Sequence, residues 1–162
     1  MKFNHKIILD MFEFLVKGKF DCIELGQSQE WILNNFPDPD NYDGKSLLGS
    51  EIWQYGKFEF HFYDKKLEQI FSDHFQSDYL GKKLNAGDDF IVKPWIFKNP
   101  KKLTLDFVIR KFVKLNIDFQ KCTTSHSIDL ILKSGVKLIF QNPNDSKNKN
   151  PNRYLMTAFV LN

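Results

Sequence analysis

Four histidines are the first residues to consider for metal binding or acid–base chemistry: His5, His61, His74 and His126. No two of them have the spacing of a helical or hairpin metal-binding motif. His61 alternates with phenylalanines in a strand-like run, so we expect it on the exposed polar face of that strand. Asp73 and His74 are adjacent, and adjacent residues of a strand point to opposite faces of a sheet. The sequence therefore predicts neither a metal site nor a histidine-based catalytic pair.

Cys122, Ser125 and His126 are the remaining candidates for nucleophilic catalysis. They lack the glycine-containing turn or the helix N-terminus that orients and activates a nucleophile. The eight glycines of the chain include no glycine-rich phosphate-binding loop. We therefore predict no catalytic residue and no cofactor, and an enzyme would have to assemble its site from residues far apart in the sequence.

Carboxylates are concentrated in a turn-rich segment after the second predicted helix. Asp38, Asp40 and Asp43 lie there with Tyr42, and Glu51 follows at the start of a predicted strand. Their spacing lacks the glycine and the terminal glutamate of a calcium-binding loop. Proline, asparagine, aspartate and glycine favour turns, so we predict an exposed acidic loop. Its side chains are either solvated or available to a partner.

Charge is distributed unevenly along the chain. Residues 1–90 carry 16 acidic residues against 10 lysines, a net charge of −6, whereas residues 91–162 carry 13 basic residues against four aspartates, a net charge of +9. The basic stretch runs from Lys93 to Lys114 with Trp95 and Phe97 between its lysines. Such interleaving is typical of surfaces that hold phosphates and stack bases. Against this, only two arginines occur, and the isoelectric point is about 8.7.

Two predicted helices and three predicted strands lie in the first half of the chain. Apolar residues at helical spacing predict a helix over residues 4–17 that ends at Gly18. Ser28 has the position of an N-cap for a second helix, which Pro37 ends. In residues 58–63, phenylalanines at every second position alternate with Glu59, His61 and Tyr63. This is the clearest two-residue period of the chain. Residues 51–55 and 67–75 are predicted as the flanking strands.

The second half repeats this order of elements. Thr104 is a predicted N-cap for a third helix, and strands are predicted over residues 118–123, 127–132, 136–141 and 154–161. Residues 54–62 can be aligned with residues 132–140. We predict an α+β fold in which helices pack on one face of an antiparallel sheet. Two similar units of one helix and three to four strands, residues 1–90 and 91–162, form it as separate units or as one continuous domain.

The composition is that of a globular protein with an aromatic core. The chain has 17 phenylalanines, and each buried aromatic side chain removes roughly 150–250 Å² from water. Cys22 and Cys122 are far apart and are predicted to be reduced, buried thiols. Asp10 and Glu13 interrupt the apolar N-terminal run, and no small-residue cleavage site follows. We therefore expect a cytoplasmic protein without a membrane span.

A short motif in the first half resembles a known structural unit. Leu25, Gly26 and Ser28 lead into the second predicted helix, and Trp53 and Tyr55 follow in a strand. This pattern resembles the helix-then-hairpin unit of β-lactamase-inhibitor-protein-like folds and of small outer-membrane-assembly lipoproteins. It covers residues 20–75 and, more loosely, residues 104–161, and the inhibitor proteins carry two such units in tandem. Without a lipobox or an export signal, an envelope role is not expected.

The chain also resembles small bacterial proteins of toxin–immunity loci. The two resemblances imply a non-enzymatic protein-binding module, most concretely a cytoplasmic immunity protein that binds and neutralises a toxin domain. Many nucleic-acid-cleaving toxins are basic, and an acidic surface would speed association with them. The predicted partner-binding residues are therefore Asp38, Asp40, Tyr42, Asp43 and Glu51. Nucleic-acid binding through residues 98–114 is the alternative function.

Overall fold

The computed structural model describes residues 4–76, 81–143 and 150–162, and it has an α+β fold, as predicted. The described residues form three α-helices and ten strands, together with short 3-10 helices. The helices are α1 (Met11–Lys17), α2 (Gln29–Asn35) and α3 (Leu105–Lys114). The strands are β1 (Ile7–Asp10), β2 (Asn41–Tyr42), β3 (Ile52–Tyr55), β4 (Phe58–Tyr63), β5 (Lys66–Ser72), β6 (Phe90–Lys93), β7 (Phe119–Thr123), β8 (Ile128–Leu132), β9 (Val136–Gln141) and β10 (Leu155–Leu161). No helix within these described ranges is long and apolar enough to cross a membrane.

Eight of the strands form one antiparallel sheet in the order β2-β3-β4-β5-β10-β9-β8-β7. The strands of the first half and those of the second half meet at its centre, where β5 pairs with β10 and Ser72 lies opposite Phe159. The remaining strands, β1 and β6, pair in parallel as a separate two-stranded sheet. The boundary predicted between residues 90 and 91 falls inside β6, so the two halves share both sheets.

The first predicted helix is shorter than expected because its N-terminal part is β1. The side chain of Asp10 accepts hydrogen bonds from the backbone N–H groups of Phe12, at 2.9 Å, and Glu13, at 3.4 Å, and so caps α1. Before this cap, Ile7 donates its N–H to the carbonyl of Asp89. Isoleucine and leucine suit a strand as well as a helix, so this distant partner decides between them. Gly18 ends the helix with φ of +68°, as predicted.

The predicted caps of the other two helices are confirmed. The Ser28 hydroxyl accepts from Trp31 N, and the Thr104 hydroxyl accepts from Phe107 N. Each cap residue also forms a β-bridge with the first residue of the last strand in its half of the chain. Ser28 is bridged to Lys66 of β5, and Thr104 to Leu155 of β10. Each helix is therefore tied at its start to a strand of the central pair.

All three helices pack against the same face of the sheet, the inner face. Phe58, Phe60 and Phe62 of β4 point to it and are buried, as their period predicts. The ring of Phe20 lies 5.0 Å from that of Phe58 and 5.3 Å from that of Phe60, within the range in which aromatic pairs attract each other. The buried helix residues belong to the same core: Met11, Phe14, Leu15, Ile32, Leu105, Val108 and Phe112. The opposite face, the outer face, remains free of these helices.

Candidate binding surfaces on the outer face and the sheet edges

The outer face carries one continuous row of side chains across all eight strands. Paired residues in neighbouring strands point to the same face, so the register defines the row. From β2 to β7 its members are Asn41, Gln54, Glu59, Phe71, Val160, Lys137, Ile131 and Gln120. The row is polar at both ends, and its middle consists of Phe71, Val160 and Ile131 with Lys137 between the last two.

The middle of the outer face is an apolar patch, which we call the apolar centre. Phe71, Ile131 and Ile139 are half-buried there, beside Ala158 and Val160. Val160 is only 3% exposed, yet it does not belong to the core under the helices. Its neighbours on the outer face therefore shield it. Half-buried apolar side chains grouped on an open face are typical of surfaces that bind other macromolecules.

An ionisable cluster borders the apolar centre on the side of β4. His61 Nε2 lies 2.8 Å from one carboxylate oxygen of Glu59, and His74 Nε2 lies 3.4 Å from the other. Asp73 Oδ1 lies 3.3 Å from the same nitrogen of His74. The hydrogen bond with His61 is the main cause that lowers the pKa of Glu59, against the opposing effect of burial. Glu59 is therefore held as a carboxylate between two imidazoles.

The sequence did not predict this cluster, because the third strand was predicted to be longer than it is. The sequence predicted a strand over residues 67–75, in which Asp73 and His74 would point to opposite faces. In the structure β5 ends at Ser72, and the chain beyond it turns both side chains toward Glu59. His61 lies on the outer face, as predicted. The sequence feature that could have indicated the cluster is the i, i+2 spacing of Glu59 and His61, which places both side chains on one face of the strand.

The five predicted partner-binding residues all lie along the β2 edge of the sheet, which we call the acidic edge. Asp38 and Asp40 precede β2, Tyr42 belongs to it, Asp43 follows it, and Glu51 precedes β3. All five are exposed. The sheet thus brings them into one strip that adjoins the outer face.

Two of these carboxylates hold the acidic edge together. Asp40 Oδ2 accepts from Gly56 N at 2.6 Å, and Asp43 Oδ1 accepts from Ile52 N at 2.7 Å. Asp40 is exposed as a residue, but partial burial of its carboxyl group is the main cause that raises its pKa. The nearby charges of Asp88 and Asp89 raise it further, whereas the hydrogen bond from the Gly56 N–H lowers it. Asp40 and Asp43 therefore position the loop, and any partner contact is added to that role.

Gln29 is a buried residue that fixes the loop between β2 and β3. Its Nε2 donates to the carbonyl of Ser50, and its Oε1 accepts from Gly49 N at 2.6 Å. Trp53 Nε1 adds a bond of 3.2 Å to the carbonyl of Leu47. The sequence did not predict a structural role for Gln29, because a glutamine in the first turn of a helix is ordinarily exposed.

Two adjacent clefts lie on the basic side of the molecule, and we call them the basic clefts. The first has a volume of about 420 Å³ and the second about 240 Å³. Lys98 and Asn99 line both of them. The first is otherwise lined by Trp95, Ile96, Lys102, Phe107 and Lys111, and the second by Phe75, Gln76, Lys82, Lys83, Pro100 and Lys101. No acidic side chain lines either cleft among the residues that the structure describes.

Only one of the two aromatic residues predicted to stack bases faces a basic cleft. Phe97 is 1% exposed and packs against Phe75 and Phe159, so it is a core residue. Trp95 lines the first cleft, with φ of +45° and its ring stacked at 6.1 Å on that of Phe112. The pattern of lysines in the basic stretch did not indicate which of the two aromatic residues, Trp95 or Phe97, would be buried.

The predicted nucleophile candidates lie in an exposed turn and at an edge strand. Ser125 and His126 belong to the turn between β7 and β8, where the Thr124 hydroxyl accepts from the N–H groups of His126 and Ser127. Cys122 lies on β7 at the sheet edge. The thiols of Cys22 and Cys122 are both free, but both are exposed, so the prediction of buried thiols was wrong.

The burial prediction failed because these two residues lie in a surface turn and on an edge strand. Burial of part of its side chain and the neighbouring Asp21 charge still raise the pKa of Cys22 to about 11. This thiol therefore stays protonated at neutral pH, and it is a poor nucleophile.

Comparison of the chain with protein-family models, with curated proteins and with solved structures found no significant match.

Proposed function

We propose that this protein is a non-enzymatic protein-binding module that binds a basic partner domain with its outer face and acidic edge. The observation that carries the proposal is the apolar centre. It lies on a sheet face opposite the helices, and the polar outer-face side chains of β4 and β3 separate it from the acidic edge. Interfaces between proteins combine an apolar middle with a polar, charged rim.

The carboxylates beside the apolar centre favour a basic partner, although one lysine, Lys137, lies between Val160 and Ile131. Glu59 and Asp73 border it, and the acidic edge contributes Asp38 and Glu51 as exposed carboxylates. Complementary charge at a rim mainly speeds association, whereas the apolar middle slows dissociation. One partner would therefore contact both the acidic edge and the apolar centre.

The most concrete form of this proposal is a cytoplasmic bacterial immunity protein that neutralises a toxin domain. Two observations support a tandem of similar units, as in the inhibitor fold that the sequence resembles. The strand order is symmetric about the β5–β10 pair, and both helix caps are bridged to the first residue of a central strand. A rigid sheet of eight strands offers a preorganised surface, which lowers the entropic cost of binding.

The test uses the purified product of the neighbouring gene, carrying an inactivating substitution, as the partner. Ile139→Lys places a charge in the apolar centre, and we expect it to weaken the complex by at least about 30-fold, as at an interface hot spot. Ile91→Lys is the matched control, because Ile91 is 51% exposed on β6, outside the outer face. If the partner does not bind, or if both variants bind equally well, this proposal is wrong.

The acidic edge is tested by the association rate. The double variant Asp38→Lys/Glu51→Lys is expected to slow association at low salt by about tenfold or more, with a smaller effect at high salt. Asp118→Lys, at an exposed aspartate between α3 and β7, is the control for total charge against the single variants Asp38→Lys and Glu51→Lys, because each of the three changes the net charge by the same amount. Equal rates for the double variant and the wild type would remove the acidic edge from the proposal.

Nucleic-acid binding remains the second candidate, and the basic clefts favour it. Lys98, Lys102 and Lys111 surround an open space beside Trp95 and Phe107, an arrangement that can hold a phosphate chain next to stacked bases. The affinity for a single-stranded oligonucleotide would then fall steeply with salt. Lys102→Glu/Lys111→Glu should abolish binding, whereas Lys121→Glu on the edge strand β7 should not. The absence of binding at low salt would eliminate this candidate.

A further inference from the structure

We infer that Glu59, Asp73 and His74 form a binding site for a divalent transition-metal ion such as Zn²⁺. This inference concerns the chain alone, and it shares Glu59 and Asp73 with the acidic rim of the proposed function. Each of the three side chains offers one potential ligand atom, and these atoms all lie within 4.8 Å of one another. His61 completes the site from behind by holding Glu59.

The distances between these atoms are close to those between two ligands of one metal ion. His74 Nε2 is 3.4 Å from Glu59 Oε1 and 3.3 Å from Asp73 Oδ1. Hydrogen bonds between nitrogen and oxygen span about 2.7–3.2 Å, so both contacts are long. Two ligands of a tetrahedral zinc, each about 2.0–2.2 Å from the ion, lie about 3.3–3.6 Å apart. The two distances are thus close to two edges of such a tetrahedron.

Glu59 is oriented for this role by its neighbours on the sheet. Its second oxygen, Oε2, is bonded to His61 Nε2 at 2.8 Å, which leaves Oε1 directed toward His74. The His61 ring is itself packed edge-on against Phe71, with 5.8 Å between ring centroids. Metal-binding carboxylates are commonly held by such a hydrogen bond, and its loss weakens metal binding. The strand β4 therefore supplies one ligand and the residue that orients it.

The donor set selects the class of ion. One imidazole nitrogen with two carboxylate oxygens suits Zn²⁺ and its neighbours in the first transition row, whereas Ca²⁺ and Mg²⁺ prefer oxygen ligands only. Three protein ligands leave the fourth position of a tetrahedron open. The side chains of Asp73 and His74 are 48% and 39% exposed, so this position is accessible to water or to a ligand from another molecule.

The experiment titrates the metal-free protein with Zn²⁺ by calorimetry and with Co²⁺ by visible absorption. We expect one ion per chain, a four-coordinate Co²⁺ spectrum, and no displacement by excess Mg²⁺. His74→Gln and Asp73→Asn should each reduce the affinity by at least 100-fold. His61→Gln should reduce it by about 10- to 100-fold, as for an orienting neighbour. His126→Gln, which alters an exposed histidine in a distant turn, should bind as the wild type does.

Two results would overturn the inference: no binding of Zn²⁺ at millimolar concentration, or equal binding by the wild type and by His74→Gln. Because Asp73 and His74 lie on the surface after β5, both variants should keep the wild-type circular dichroism spectrum. A rise in melting temperature with Zn²⁺ in the wild type, absent in Asp73→Asn, would support the inference through a second readout. Neither measurement uses a partner protein, so the result is separate from that for the proposed function.

Discussion

The acidic edge and the basic clefts carry opposite charge, and they use that charge in different ways. At the acidic edge, the carboxylates of Asp40 and Asp43 accept backbone N–H groups of neighbouring segments. In the basic clefts, the lysine side chains line open space. Asp40 and Asp43 at the edge therefore help to maintain the fold, whereas the lysines of the clefts line open space. The same density of charged residues in a sequence can have either role.

The largest loss of stability is expected from Gln29→Ala, which changes the residue that fixes the loop between β2 and β3 beside the acidic edge. The substitution leaves the Gly49 N–H and the Ser50 carbonyl without their buried partner. Ser50 is buried whereas Gly49 is exposed, and one unsatisfied buried group costs about 1–3 kcal/mol, so we expect the free energy of unfolding to fall by about 1–3 kcal/mol in urea denaturation. Gln69→Ala, a half-buried glutamine on the outer face, should change it by less than about 0.5 kcal/mol. Similar losses for both variants would show that the loop does not depend on Gln29.

A smaller effect is expected at Asp40. Asp40→Ala removes the acceptor of the Gly56 N–H and should cost about 1–2 kcal/mol of unfolding free energy. Asp40→Asn keeps an acceptor oxygen in the same place, so its stability at neutral pH should stay within about 1 kcal/mol of the wild type. If the alanine variant is as stable as the wild type, Asp40 is no more structural than the lysines of the basic clefts.

The stability that Asp40 contributes is also expected to depend on pH. The pKa of Asp40 is raised in the folded protein, so the folded state binds the proton more tightly than the unfolded state does. Between the unfolded pKa and the raised folded pKa, an increase in pH therefore lowers the stability contributed by this residue. The stability of Asp40→Asn relative to the wild type should rise through this acidic window and level off above it. Chemical denaturation of both proteins from pH 3 to pH 7 measures this difference, and an opposite slope would contradict the raised pKa.

The smallest effect on stability is expected in the basic clefts. Lys102→Gln/Lys111→Gln removes two charges that line open space, and exposed substitutions of this kind usually change stability by less than about 0.5 kcal/mol. Thermal and urea denaturation of the double variant should match the wild type at moderate salt. A loss above about 1 kcal/mol would mean that these lysines also support the fold.

Local patterns predicted the helix caps and the central strands because those signals are contained in a few neighbouring residues. Ser28 and Thr104 cap α2 and α3 through N–H groups three residues away, and Phe58, Phe60 and Phe62 face the core at every second position. The five residues of the acidic edge were likewise found together as an exposed group. For the caps and the buried face of β4, the pattern that decides the structure is short in sequence.

Predictions failed where the partner was distant in sequence. Ile7 and its neighbours were assigned to a helix, but β1 pairs with β6, more than 80 residues away. Phe97 was assigned to a basic surface, but it packs on Phe75 and Phe159 in the core. The burial of an aromatic residue depends on the other segments that reach it, and a local pattern does not contain them.

The sequence by itself determined the α+β class, the phenylalanine-rich inner face and the separation of charge between the two halves, since hydrophobic period, capping residues and composition are local properties. The tertiary structure alone decided that β5 pairs with β10, that Asp40 and Asp43 bind backbone groups, and that Glu59, Asp73 and His74 converge. These outcomes depend on where a strand ends and on which segments become neighbours. That is settled by the packing of the whole chain, because side chains 14 residues apart meet only once the sheet has formed.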